Sequence, residues 1–451
     1  MNKLVNPIIL LSSILIPLVV LFITESFAVL SLSVIIFLIL SLVSFLLKGE
    51  NFRYIYTTML CTYSIYMLFA ILRYFQFIDN EIDPTADELR YFIPFVDNII
   101  EKKVAFTDLL YESLSYNRGE HYSYLFYIGG VALFSEKYLG GYNLMQVILS
   151  SQFLACLYSI FIFKIISLYK KVDIAFRYTI FYMLCTPVVM SSVNILRDLP
   201  IALSYLIGLY IILKNTKFKS GICILLILLS LIMSLRLEHG LFFVLLIITY
   251  IYKKLSRFKI LFGVIALVCV VGSIAIIQNT FITLFDTIST YNEYTKEHAN
   301  ISGLAMKLIS LPSPVKEIAC SLFSQIFPIP PWASFIGGVK SLPDFIFSLS
   351  SMIKTICWFY IVFFVIKNIF KYYKNIQPYN WGHLLLIALL LIVACSSEYY
   401  ESRRMMCMYP IIYLVFIKIR DFIDRVQLQK NNKQFGLLYG GLLIAYVLLL
   451  N

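Results

Sequence analysis

Long apolar runs alternate with short polar connections from one end of the chain to the other. The runs occupy residues 7–24, 27–47, 55–76, 142–168, 178–193, 199–214, 219–235, 238–252, 259–278, 349–370, 382–397, 405–419 and 435–450. A hydrocarbon core about 30 Å thick takes roughly 17–25 helical residues, so the pattern predicts about thirteen spans. The stretch 122–134 is apolar but too short to cross, and is expected to be re-entrant or interfacial. The run 8–24 resembles a signal peptide only locally: it lacks a small-residue cleavage site and another span follows at once, so it is expected to stay in the mature protein. No internal repeat and no Gly/Ser linker is visible. The predicted fold class is all-α, a polytopic transmembrane helix bundle forming one membrane domain over 1–451.

The polar connections give this bundle an orientation. Those at 48–53, 170–177, 214–219, 253–259, 367–374 and 418–433 are short and rich in Lys and Arg. The positive-inside rule places them in the cytoplasm. All fall on one side if the N-terminus, with Lys3, is cytoplasmic as well. The connections 77–123, 194–198, 236–239, 279–348 and 398–404 then face outward. Two of these external loops, 77–123 and 279–348, are too long for simple connectors. The second holds Pro312, Pro314, Pro328, Pro330, Pro331 and Trp332. Broken helices and turns lying against the membrane face are expected there.

Composition sharpens the membrane reading. Sixty per cent of residues are hydrophobic, 16% are aromatic and the mean hydropathy is +0.85. A water-soluble chain could not hide so much apolar surface. The net charge of +12 sits between apolar runs rather than on a basic stripe, which argues against nucleic acid as a partner. The nine cysteines show no CxxC and no Cys/His ligand spacing, so neither a disulfide framework nor a structural zinc is expected. No Walker A loop, no GxGxxG after a strand and no HExxH occurs.

The chemistry-bearing residues fall on the outward side. Asp83, Asp87, Glu88 and Arg90 lie in DPTADELRYF; Arg118, Glu120 and His121 lie in NRGEHYSY. Arg197 and Asp198 lie in NILRDLP, and Arg236, Glu238 and His239 in RLEHG. Glu398, Glu401, Arg403 and Arg404 lie in EYYESRR. Charges at span ends often mark only where the lipid stops. Arginines in outward-facing short loops, however, run against the positive-inside bias. Arg236 and His239 are three apart and share a face on a helical turn. Several such exceptions on one side point to a shared anionic ligand. Arginine matches phosphate oxygens bidentately, and a nearby carboxylate can accept a proton from a hydroxyl. Together they are the minimum machinery for glycosyl transfer from a lipid-phosphate donor. Tyr111, Tyr116, Tyr122, Tyr124, Tyr142, Tyr291, Tyr294, Tyr399 and Tyr400 suit either sugar stacking or interfacial anchoring.

The order of parts resembles the GT-C-type membrane glycosyltransferases. Asp87–Glu88 in ADELRYF occupies the place of that family's acidic pair in the first external loop. HYSYLFYIGGVALFSEKYLGGYNLMQ (121–146) resembles the segment that follows it. NILRD and ESRRMMCMYP are similar to Arg-containing motifs of bacterial surface-polysaccharide enzymes, including O-antigen polymerases. The sequence ends at Asn451 without the soluble C-terminal domain common in the monosaccharide-transferring branch, which weights the expectation toward a polymerase. The resemblance implies joining of polyprenyl-diphosphate-linked oligosaccharides at the periplasmic face of the inner membrane. Asp87 or Glu88 would activate the acceptor hydroxyl, with His239 or His121 as a second proton-transfer group. Arg197, Arg236, Arg403 and Arg404 would hold the diphosphate, with Arg90, Arg118, Asp198, Glu238 and Glu401 completing the binding set. No cofactor is required; the adjacent carboxylates are compatible with a divalent cation without demanding one. The implied partners are polyprenyl-(di)phosphate-linked saccharides and the bilayer, with a chain-length regulator by analogy. Two other readings stay open: transfer of a single sugar from a polyprenyl phosphate to a lipid-linked acceptor, and a flippase for the same lipid-linked oligosaccharide. Transporters place ionisable groups near the midplane and often show repeated halves. Here the span interiors carry almost no charge, Arg73 lying near the outer end of its span.

Overall fold

The structure, a computed structural model, describes residues 7–47, 51–82, 86–116, 121–254, 311–312, 315–325, 331–336, 338–376, 384–385, 387–390, 392 and 405–450. Among these the chain is helical, without strands, as the sequence pattern predicts. The helices are α1 (Pro7–Thr24), α2 (Phe27–Leu46), α3 (Phe52–Ile78), α4 (Ile93–Glu101), α5 (Leu109–Ser115) and α6 (Tyr122–Phe134). Then come α7 (Leu144–Ile166), α8 (Val172–Cys185), α9 (Val188–Ser191), α10 (Asp198–Lys214), α11 (Phe218–Leu235) and α12 (Leu237–Lys254). The last five are α13 (Val315–Ser324), α14 (Ala333–Ile336), α15 (Leu342–Ile376), α16 (Tyr409–Phe422) and α17 (Arg425–Leu450). Five described helices are long and apolar enough to cross a membrane: α2, α3, α7, α11 and α15 over Leu342–Tyr372. The protein is a membrane protein on that evidence. The predicted span at 259–278 lies outside the described residues, as does most of 382–397.

Local chemistry sets the helix starts. Asn143 caps α7 through a reciprocal box: its Oδ1 accepts from Met145 N at 2.8 Å, and Gln146 Oε1 accepts from Asn143 N at 2.9 Å. Such pairing satisfies donors that a helix start otherwise leaves open. α7 is the bundle's central rod, buried on nearly every face. It packs antiparallel to α3, joined by Gln152 Nε2 to Tyr63 O (3.1 Å) and by the Thr62 and Ser159 hydroxyls (3.0 Å). Much of the tyrosine content serves this interior. Tyr63 donates to Ser33 O, Tyr66 to Met183 O and Tyr413 to Tyr178 O, each side chain fully buried. In lipid the backbone carbonyls and phenols have no water to bond, so such cross-helix bonds satisfy both partners.

Several boundaries differ from the sequence reading: the connection read at 367–374 lies inside α15, and that at 418–433 is mostly helical because α17 starts at Arg425. The run 178–193 is not one span. Its helix, α8, begins earlier, at Val172, and ends at Cys185 because Pro187 supplies no N–H and disfavours helical geometry at Thr186. Thr186 is extended, and its hydroxyl closes the broken end by donating to Tyr182 O at 2.7 Å. Loop 77–123 is not a loop throughout: it folds into a wide single turn at Glu88–Phe92 followed by α4 and α5, both packed on α6. Gly129 permits that approach, since a Cβ there would come within 2.9 Å of both Ile99 and Leu109. Loop 279–348 ends early, because α15 starts at Leu342.

The contacts sort the helix ends into two groups. At one end, lysines donate to the last carbonyls of neighbouring helices: Lys164 to Leu47 O, Lys253 to Ile212 O and Lys254 to Asn215 O. Cations there complement the negative helix C-termini. Lys170 pairs with Asp421, and Lys418 lies over the Tyr169 ring, in the same group. At the opposite end lie the C-terminus of α3 and the starts of α6, α7 and α10. The α11–α12 turn and the residues preceding α16 lie there too.

Candidate functional site

Glu88 opens the site. Its side chain is 3% exposed, and it forms an ion pair with Arg73 near the end of α3. Its second oxygen accepts the Ile195 N–H at 2.6 Å. Ile195 belongs to the irregular segment between α9 and α10, where Ser192, Val193 and Ile195 are all fully buried. Buried backbone outside a helix must find partners for its polar groups. Glu88 supplies one of them, and Arg73 balances the charge that this acceptor brings. Arg73 also donates to Gln76 Oε1 at 3.0 Å and lies 5.1 Å from the centroid of Phe77. Arg73 and the Ile195 amide were not among the residues singled out from sequence; a lone arginine near a span end gives little signal.

The same irregular segment delivers Arg197 and Asp198. Arg197 bonds His121 Nδ1 and donates to Leu235 O at 3.0 Å. Arg236, which begins the chain's return into α12, donates to Asp198 Oδ1 at 3.2 Å; both side chains are about 5% exposed. One helical turn on, His239 is buried, its carbonyl accepting from Tyr205 Oη at 2.5 Å. Cys407 Sγ approaches His239 Nδ1 at 3.8 Å, which brings the residues before α16 into the same cluster. Four segments far apart in sequence therefore meet: 73–88, 121, 195–198 and 235–239, with 407 beneath them.

His121 starts α6 in the left-handed region, at φ 65°, a conformation His tolerates better than most residues. Burial, then the neighbouring Arg197 and Arg236 charges, push its pKa down to about 3. The imidazole is neutral at physiological pH and can accept from Arg197. That electropositive setting favours an anion over an additional proton.

The remaining candidates divide as follows. Asp87 is half-buried just before the Glu88 turn, and Arg90 is exposed on it. Asp83, Arg118, Glu120, Glu398, Glu401, Arg403 and Arg404 lie outside the described residues, as does the Glu238 side chain. Among the described residues no group of three or more His, Cys, Asp or Glu is placed to hold a metal ion. A cation at Asp87–Glu88 would have to compete with Arg73 for Glu88. Tyr124, one of the tyrosines considered for sugar stacking, is 1% exposed and packs edge-on against Phe92 at 5.0 Å.

The structure also holds an apolar groove of about 590 Å³. It runs along α6 from Tyr122 past Phe126 and Gly130 to Phe134, walled by Phe106 and Leu110 on one side and by Leu32 and Leu231 on the other. Tyr122, which follows His121 in the chain, lines it. The fold and cluster together define a membrane protein with a recessed, arginine-rich ionic site at one end of its helices. The chain matches no protein-family model, and neither a similar curated protein nor a similar solved structure is found for it.

Proposed function

We propose that the protein is a membrane glycosyltransferase that polymerises polyprenyl-diphosphate-linked oligosaccharide units, at the periplasmic face of a bacterial inner membrane, for O-antigen or another surface polysaccharide. The observation that carries this reading is the meeting of Arg197, Arg236, His121 and Asp198 with the Asp87–Glu88 loop, at the helix ends opposite the lysine-rich ones. In this reading the lysine-rich end, the N-terminus included, is cytoplasmic, and about thirteen spans are threaded alternately.

Roles follow from the contacts. Arg197 and Arg236 bind the diphosphate and stabilise its charge as it departs. The sequence reading adds Arg403 and Arg404 to this set. Both Glu88 oxygens are engaged, so Glu88 sets the loop and Asp87 takes the acceptor hydroxyl proton. With His121 neutral, His239 is the stronger candidate for a second proton transfer. The groove along α6 suits the isoprenoid chain, because its lining is apolar and it begins at Tyr122, next in the chain to Arg197's partner His121.

The test is a deletion strain carrying single substitutions at Asp87, Arg197, Arg236 or Arg404, with surface glycan banding as readout and protein abundance as control. Glycan capped at one repeat, with lipid-linked units accumulating, supports polymerisation. A repeat lacking one sugar supports single-sugar transfer instead, and loss of all extracytoplasmic glycan supports a flippase. Normal banding in all four variants at normal abundance would overturn the reading.

A further inference from the structure

Lys354 stands inside α15, on the stripe that faces the bundle. Phe347, Trp358 and Ile361 share that stripe and are 7%, 3% and 0% exposed. Phe347 packs on Phe69 of α3 (5.6 Å), and Trp358 on Tyr409 of α16 (4.0 Å). Lys354 itself is half-buried and forms no hydrogen bond or ion pair among the described residues.

The helix registers fix its depth. α3 and α15 run antiparallel, with Ser341 donating to Glu81 at 2.7 Å and Phe347 beside Phe69. From the level of Arg73 to that of Lys354 is then about eleven residues, or about 16 Å inward. α15 and α16 run parallel, through Trp358–Tyr409, Phe364–Phe416 and Tyr372–Phe422. One turn back from the first pair, Lys354 lies level with Met405, two residues from Cys407 and its contact with His239. The amine therefore stands at the depth of the cluster's inner end, among inward-facing apolar side chains.

A buried ammonium is costly without a partner, and in membrane spans such groups face the interior and mark ligand paths. Lysine is also a point-charge binder of phosphate. The ordinary alternative is that Lys354 caps carbonyls in the irregular segment 186–197, and the described contacts include no such bond. We propose that Lys354 is a further anion-binding residue, supplying its ammonium to the diphosphate of the lipid-linked substrate at the inner end of the recess. This rests on the functional reading above.

The experiment uses the full-length protein in detergent micelles, with geranylgeranyl diphosphate as probe and geranylgeraniol as the uncharged control. Wild type should bind the diphosphate more tightly than the alcohol. Lys354→Met should weaken diphosphate binding by roughly tenfold or more and leave alcohol binding unchanged. Lys354→Arg should stay near wild type, as a merely structural amine would not require. If the Met variant melts early, Lys354→Gln decides the point. Wild-type diphosphate affinity in a folded uncharged variant would overturn the inference alone. A wild type that does not prefer the diphosphate would overturn both the inference and the functional reading.

Discussion

The Arg73–Glu88 pair allows a quantitative test of how the site is held together. Replacing Arg73 by Met leaves a carboxylate that is 3% exposed with only the Ile195 N–H as partner. Breaking one side of a buried ion pair costs about 3–5 kcal/mol. Replacing Glu88 by Met strands the guanidinium, still bonded to Gln76, and orphans the Ile195 N–H, which adds about 1–3 kcal/mol. The double variant carries neither charge, so its cost falls to about the orphaned amide alone. The two single losses should therefore exceed the double loss by at least about 3 kcal/mol, far outside the roughly 0.5 kcal/mol scatter of independent sites. Unfolding of the purified protein in mixed micelles, titrated with a denaturing detergent, measures all four corners of the cycle. Additive single effects would refute the claim that Glu88 is a charge-balanced acceptor for the broken-helix backbone. The base role proposed for Asp87 would then have to be reconsidered, since Glu88 would be free to share it.

Three further outcomes follow from named contacts. His121 has its pKa lowered from an ordinary 6.5 to about 3, so the unfolded chain takes up its proton first as pH falls. The stability it contributes is complete above about pH 6.5 and is lost as pH falls toward 3; melting curves against pH should show this acid loss in wild type and a flatter profile in His121→Gln. A Cβ at Gly208 would meet the Phe243 ring at 2.8 Å, so Gly208→Leu should force α10 from α12 and cost about 1–3 kcal/mol in the same detergent titration. The Cys185 and Cys357 thiols are within hydrogen-bonding reach across α8 and α15. Mild copper–phenanthroline oxidation should join them, with a linked 185–357 peptide pair in the mass spectrum; its absence would contradict the packing of α15 beside the α8 break.

Helix positions were readable from sequence wherever burial in lipid and burial in protein ask for the same residues. That holds for α2, α3, α7 and α11, whose apolar runs end within a few residues of the helices. It fails at 178–193, where hydropathy runs on smoothly across Thr186–Pro187. Pro187 carries the local signal of the interruption, which a hydropathy average does not register. The candidate site shows the same division. Arg197 and Arg236 stood out because arginine in short loops on that side is unusual. Arg73 and Lys354 did not, because each is a single charge within an apolar helix, and its meaning lies in which face it occupies. Hydropathy averages over faces, so it cannot separate a lysine directed at lipid from one directed inward. The Ile195 amide carries no sequence signal at all.

The break between α8 and α10 links these points into one physical argument. α8 runs toward the ionic end and α10 runs back from it, so the pair is a hairpin whose outgoing limb is broken at Thr186–Pro187; a helix continued unbroken through that limb would satisfy its own backbone. The buried irregular turn that joins the two limbs leaves amides without helical partners, and one of them, Ile195, recruits Glu88 from a loop more than a hundred positions earlier. The same turn presents Arg197 to His121 and Asp198 to Arg236. The cost of irregular backbone at this depth is thus offset by polar groups brought from three other segments. On this view extending α8 across its break, with Pro187→Ala, should displace the turn that follows, loosening Glu88 and scattering the arginines without removing any of them. Such a variant should lose the proposed polymerase activity at normal abundance, while the Lys170–Asp421 contact at the opposite end stays intact. Undiminished polymerisation in that variant would show that the interruption is only a packing accommodation.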